Sequence, residues 1–271
     1  NQRIMGIKFR LIVMNFLQYA IWGSWLISLG AYLGGGLDFT GLQIGSFFAT
    51  MGVASLFMPA VMGIIADRWI PAQKLLGICH LVSGGFLIAA ASQTAYGPLY
   101  SCMLLSVMFY MPTIALSNSV AYNALDLARL DTVKHFPPIR VWGTVGFIAA
   151  MWFVDLTHIG GVQIKLTEWQ LYVSAVLSFL LSVYSFSLPG CPVDRNVKAR
   201  SWVDTLGLRA FTLFKEKRMA IFFVFSMLLG AALQITNAFG DSYIQSFGSM
   251  PQYADSAIVK HSVILLSLSQ M

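Results

Sequence analysis

Leu11-Ile-Val-Met-Asn-Phe-Leu-Gln-Tyr-Ala-Ile-Trp-Gly-Ser-Trp-Leu-Ile-Ser-Leu-Gly-Ala-Tyr-Leu33 runs without a single charged side chain. About 20 predominantly apolar residues in an α-helix cross the hydrocarbon layer of a bilayer, so this stretch reads as a membrane span. The same reading applies at Leu42–Ala66, Leu75–Ala91, Leu99–Val120, Ile139–Leu156, Leu171–Leu188 and Met219–Phe239. An eighth run begins near Ile258 and is cut at Met271. These segments show no clear apolar stripe, as expected where neither lipid nor bundle demands a wet face. Closed barrels need alternating segments of about 10 residues, and none is seen. The expected fold is an all-α polytopic membrane bundle.

Composition agrees. Of 271 residues, 57% are hydrophobic and 10% charged, against about 25% charged in a soluble domain. A soluble enzyme, a secreted disulfide scaffold and a disordered tail are excluded. Cys79, Cys102 and Cys191 share no framework or metal spacing. Met5 reads as a natural start, and no cleavable signal precedes the first span.

The formal charge of +6 follows the membrane rather than nucleic acid. Arg3, Lys8 and Arg10 precede the first run, Arg68 and Lys74 follow the second, and Arg129 and Lys134 follow the fourth. Seven cations from Arg195 to Arg218 lie between the sixth and seventh. The alternate loops carry only Lys165 and Lys260, which places the N-terminus in the cytoplasm. The chain divides into a cytoplasmic segment 1–10, a six-span bundle 11–188, a basic linker 189–218 and the start of a second bundle, 219–271. In the linker, Trp202, Leu206, Phe211 and Phe214 are spaced to share one side of an interfacial helix.

Gly63-Ile-Ile-Ala-Asp67-Arg68-Trp-Ile-Pro-Ala-Gln-Lys74 resembles the signature loop of the major facilitator superfamily. It departs in carrying Ile70 where the second glycine is expected and in a single delayed Lys74. Asp67 and Arg68 at the helix end, with Gly63 allowing close approach of a neighbouring helix, suit a conformational latch. An ordinary solvated loop is the alternative.

A more specific resemblance extends from Met5 onward. Phe16-Leu-Gln18-Tyr-Ala-Ile-Trp22-Gly-Ser-Trp25-Leu, Phe136-Pro-Pro-Ile-Arg140-Val-Trp-Gly-Thr144-Val-Gly-Phe147, Arg218-Met-Ala-Ile-Phe-Phe and Leu233-Gln234-Ile-Thr-Asn237-Ala-Phe-Gly resemble the bacterial nucleoside:proton symporter family. The resemblance implies twelve spans and a substrate cavity lined by Arg140, Thr144, Phe147, Gln234, Asn237 and Gln270. It also implies an acidic residue about one helical turn beyond Gln270.

The residues make sense on their own. A nucleoside offers hydroxyls, ring amide and carbonyl groups and a flat π face, so its site calls for amides, a hydroxyl and an aromatic platform. Arg140, Thr144 and Phe147 are spaced by four and three, one helical stripe about 10 Å long. Gln234 and Asn237 stand three apart. The competing roles are snorkelling for Arg140, helix packing for Phe147, a backbone hydrogen bond for Thr144 and helix–helix glue for the two amides. Gln18 and Asn118 are weaker candidates. Trp22 and Trp25 could stack on a substrate or fill the bundle, packing being favoured, and His80, His135, His158 and His261 read as solvated histidines near span ends. The pairs Gly30/Gly34 and Gly41/Gly45 permit close helix approach at best.

No carboxylate is expected well inside a complete span. Asp155, Glu168, Asp241 and Asp255 read as lying at or beyond outer ends, with Asp241 nearest the membrane. The coupling carboxylate is therefore expected beyond residue 271. Together these readings point to a monomeric, multi-pass transporter of the bacterial inner membrane. It would import nucleosides with protons by alternating access, with lipid, nucleoside and proton as partners and no cofactor, metal or nucleic acid. Another small polar solute, such as a sugar, is the alternative within transport. A membrane-embedded enzyme is disfavoured, because no catalytic cluster stands at an interface.

Overall fold

Close backbone approach, rather than large side chains, sets the contact between the first and fifth membrane helices. A computed structural model describes residues 2–193 and 208–270 of the chain. α1 spans Gln2–Gly23. α3 (Gly41–Arg68), α4 (Ala72–Ala91), α5 (Tyr96–Leu127), α6 (Thr132–Leu156) and α7 (Trp169–Ser185) complete the first bundle. A Cβ added to Gly23 would collide with the Phe147 backbone on α6, and one on Gly146 with the Phe16 backbone on α1. Lipid tails are as apolar as leucine, so helices in a membrane gain from such small-residue contacts and from interhelical hydrogen bonds.

The same logic joins α4 to α7. Ser182 Oγ donates to the Gly77 carbonyl at 2.7 Å and Ser178 Oγ to the His80 carbonyl at 3.1 Å. Ser174 Oγ reaches the Ile21 carbonyl of α1 at 2.8 Å. Two histidine readings are corrected here. His80 is fully buried, with Nε2 2.8 Å from Gln18 Oε1 and Nδ1 3.3 Å from Ser178 Oγ. Gln18 in turn donates to Thr113 Oγ1 at 2.7 Å, which makes it interhelical glue. His261, the other exception, pairs with a carboxylate.

The expected first span is not continuous. α1 stops at Gly23, residues 24–28 turn, and the chain resumes as α2 (Leu29–Ala31) followed by a π-helical turn at Tyr32–Gly36. Ser24 Oγ bonds back to the Ala20 carbonyl at 2.8 Å, and the Trp25 N–H reaches the Trp22 carbonyl three residues back. Hydropathy does not register such a break, because apolar side chains continue through it. Among the described residues, α3 to α6 and the stretch Lys217–Ser249 are long and apolar enough to cross a membrane. α7 is shorter, at 17 residues.

Helix ends follow local chemistry. Thr40 and Gln43 form a reciprocal capping box at the start of α3, satisfying otherwise unpaired N–H groups. Asp131 accepts from the Val133 N–H at 2.9 Å to start α6. Between α6 and α7 a short hairpin pairs His158 with Gln163 and Ile159 with Val162. Gly160 and Gly161 form its turn at φ +61° and +85°, the left-handed values that two-residue hairpins require.

Residues 201–207, including Trp202 and Leu206 of the expected interfacial helix, lie outside the described residues. Leu208–Lys215 is a 3₁₀ segment, and Phe214 stacks on Phe223 with ring centres 4.9 Å apart. α8 (Lys217–Ser246) then crosses. It buries Asn237, Ala238 and Asp241 and leaves Ile221, Phe222, Phe225 and Leu229, nearer its start, exposed. α9 (Ala257–Lys260) and α10 (Ser262–Ser267) form the start of the eighth run, separated at His261.

Candidate functional site

α1, α6 and α8 meet around a cavity of about 220 Å³, with Gln270 from the end of the chain closing its wall. All six residues expected to contact a substrate line it: Arg140, Thr144 and Phe147 from α6, Gln234 and Asn237 from α8, and Gln270. The helical stripe on α6 explains the first three. Gly143 and Gly146 sit on the side of α6 that presses against α1, so the adjoining stripe is left facing the gap toward α8.

Arg140 does not snorkel away. Its guanidinium carbon lies 3.8 Å from the centre of the Tyr19 ring, a cation–π contact that fixes the planar fork at the cavity wall. Thr144 is partly exposed, and its hydroxyl has no hydrogen-bond partner among the described residues. Phe147 is buried and meets Trp22 edge-on, with ring centres 6.4 Å apart. Gln270 Nε2 donates to Asn237 Oδ1 at 3.1 Å, which leaves each amide with further donors or acceptors. Gln234 Nε2 is occluded and unpartnered among the described residues, and so is Trp22 Nε1.

Two aromatic residues outside the expected six also line the cavity. Trp22, for which packing was favoured over stacking on a substrate, stands in the cavity wall, its ring 6.0 Å from that of Tyr110. Tyr19 was not singled out at all. Its signal lay in the spacing Tyr19/Trp22, which puts both rings on one side of α1. Trp25, by contrast, is packed as expected, at 4% exposure.

The latch residues lie apart from this cavity. Asp67 is exposed and Arg68 half-buried in the last turn of α3, without an ion pair among the described residues. Nothing lies within 4 Å of a Cβ placed on Gly63, so the close helix approach expected there is absent from this arrangement.

The carboxylates require correction. α8 continues past Phe239 to Ser246, so Asp241 lies within the helix and is fully buried. It accepts hydrogen bonds from Ser262 Oγ and from Gln245 Nε2. Asp155, in the last turn of α6, is also fully buried, with Oδ1 2.6 Å from Lys165 Nζ. Lys165 and His261 close over Asp155, and Ser262 of α10 closes over Asp241 beside Gln245, one turn further along α8.

Amides, a hydroxyl, one fixed guanidinium and aromatic faces thus share one cavity between the helices of a membrane bundle. A family model for nucleoside H+ symporters matches residues 5–271, and the chain belongs to that family. It is 51% identical over 267 residues to the xanthosine permease of Escherichia coli (strain K12), and 45% identical over 267 residues to nucleoside permease NupG of the same organism. Each match covers 98% of this chain and 63% of the relative. The crystal structure of nucleoside transporter NupG aligns at a TM-score of 0.85 with 45% identity, over 97% of this chain and 64% of that one. A mutant of the same transporter aligns at 0.88. The chain thus spans a little under two thirds of the length of these relatives. Its fold is the helical bundle of the major-facilitator type, and its relatives are permeases rather than enzymes.

Proposed function

We propose that the protein carries nucleosides together with protons across the bacterial cytoplasmic membrane by alternating access, with its N-terminus in the cytoplasm. The observation that carries this reading is the convergence of Arg140, Thr144, Phe147, Gln234, Asn237 and Gln270 on one cavity from separate elements. Asn237, Gln234 and Gln270 supply both donors and acceptors for base edges and ribose hydroxyls. Phe147 and Trp22 supply the faces on which a flat base packs. Arg140, held on Tyr19, offers a directional donor fork.

Alternating access needs the two sides of the cavity to part and close. In this reading α8 meets the first bundle near its outer end, at Asn237, Ala238 and Asp241, while its Lys217 end carries exposed apolar side chains. Asp67 and Arg68 then belong to the cytoplasmic side, where they are proposed to latch a different conformation. The asymmetry of Lys and Arg across the loops supports the orientation, and the basic segment 189–218 is proposed as a cytoplasmic linker. Working as a monomer is part of the same proposal.

The test is uptake of labelled uridine, adenosine and xanthosine by cells carrying the full-length protein, with and without a proton uncoupler. Accumulation of at least one nucleoside that collapses with the uncoupler is expected. Absence of accumulation of all three by well-inserted protein rejects the reading.

A further inference from the structure

At the end of the bundle where α6 and α8 finish, four charged or titratable side chains from opposite sides of the cavity meet. Asp155 and Lys165 come from α6 and the segment after the hairpin, while Asp241 and His261 come from α8 and the break between α9 and α10. Asp155 Oδ1 lies 2.6 Å from Lys165 Nζ, and Asp155 Oδ2 lies 2.8 Å from His261 Nδ1. Lys165 Nζ also donates to the Lys260 carbonyl at 2.9 Å and to Ser262 Oγ at 3.4 Å, and Ser262 donates to Asp241. Gln163 Nε2 bridges the Asp155 and Lys260 carbonyls at 2.9 and 3.3 Å. Parting the two sides at this end breaks the contacts that cross it, from Asp155 to His261, from Lys165 to the Lys260 carbonyl and Ser262, and from Gln163 to the Lys260 carbonyl, while Asp155–Lys165 and Ser262–Asp241 stay on their own sides.

The charges in this cluster do not balance. With both carboxylates ionised, Lys165 compensates one and leaves the other over. Asp155, Asp241 and Lys165 are at most 1% exposed, and net charge withdrawn from water is costly. His261 is the one member open to solvent, with its side chain 37% exposed. Two other charged or titratable neighbours are engaged elsewhere: Lys260 Nζ turns outward to Asp255 at 2.9 Å, and His158 Nδ1 lies 3.1 Å from the Leu156 carbonyl.

We propose that His261 and Asp155 form a proton-binding site that takes up one proton as this end of the cavity closes and releases it as the end opens. The proton comes from water to Nε2 of His261, the ring nitrogen not engaged by Asp155. The resulting imidazolium cancels the surplus carboxylate charge of the closed cluster. The proton stays at this end of the protein and sets how readily the cavity shuts there. It is separate from any proton carried across. The inference rests on the transport reading above, with this end as the outer one.

The test uses the full-length protein in lipid nanodiscs, with Cys79, Cys102 and Cys191 replaced by Ser. Spin labels at the exposed positions Ile159 and Tyr253 report the distance across this end. Binding of one proton makes the ratio of closed to open populations rise by up to about tenfold per pH unit on acidification. His261→Gln keeps a donor toward Asp155 without titrating there, and its ratio is expected to be flat. If that variant does not fold, His261→Asn is read in the same way. A flat ratio in the parent, or the parent slope persisting in the variant, overturns the proposal. Uncoupler-sensitive uptake by the parent is scored separately, so loss of the gate site and loss of the transport reading give different results.

Discussion

The guanidinium of Arg140 packs on the face of Tyr19, 3.8 Å from the ring centre. A cation held on an aromatic face gains about 0.5–2 kcal/mol, and here the contact also orients the donor fork. Tyr19→Leu is therefore expected to weaken nucleoside binding several-fold without loss of insertion. Arg140→Lys retains the charge but not the planar fork, so uptake should collapse. Thr144→Val, which removes the free hydroxyl one turn further along α6, should impair binding too. Binding to purified full-length variants checks all three. Near-normal uptake by the Lys variant would return Arg140 to an interfacial role.

The amides on α8 make the second case. Asn237 Oδ1 accepts from Gln270, and Gln234 Nε2 has no partner among the described residues. Replacing Gln234 or Asn237 with Ala should cost about 1–3 kcal/mol of nucleoside affinity, the penalty for leaving a buried polar partner unpaired. Calorimetric titration of well-expressed variants measures it. Unchanged affinity in both would make the pair helix glue.

What the sequence revealed of this site follows from where polar groups stand out. An amide or guanidinium inside an apolar run is costly in hydrocarbon, so Arg140, Gln234 and Asn237 were conspicuous, and each lines the cavity. Tyr19 and Trp22 were not, because aromatic side chains are ordinary in membrane helices whichever way they face. The break at 24–28 was hidden by unbroken hydropathy. Asp155, Lys165, Asp241 and His261 were legible only as residues near span ends. Their pairing depends on two loops distant in sequence folding toward each other, which no local pattern encodes. His80 failed for a related reason: proximity to a helix end says nothing about which neighbouring helix covers it.

Glycine contacts offer a prediction about stability. A Cβ at Gly146 would strike the Phe16 backbone, whereas one at Gly63 or Gly85 meets nothing within 4 Å. Backbone does not swing aside as a flexible side chain does, so the α1–α6 crossing must open. Overpacking of this kind costs about 1–3 kcal/mol or more. Gly146→Ala should lower the melting temperature of the purified protein. Gly63→Ala and Gly85→Ala should be neutral or slightly stabilising, since alanine restricts the unfolded chain. Equal melting temperatures for all three would show that this crossing yields without penalty.

Cys191 reports how the chain leaves α7. Its backbone N–H donates to Gln73 Oε1 at 2.9 Å, and Asn123 Nδ2 donates to the adjacent Gly190 carbonyl at 3.1 Å. These bonds dock the start of the basic linker onto α4 and α5. Burial pushes the Cys191 thiol above its usual range, partly offset by hydrogen bonding from Gln73 and Asn123. The thiolate is the reactive form, so a raised pKa means a smaller reactive fraction at neutral pH. Alkylation followed peptide by peptide should therefore be slower at Cys191 than at an unperturbed thiol, and should accelerate as pH rises. Gln73→Ala removes the side-chain tether but keeps the Gln73 backbone N–H that favours the thiolate. If docking governs access, the variant reacts faster at every pH, whereas an unchanged rate would show that the tether does not limit access to the thiol.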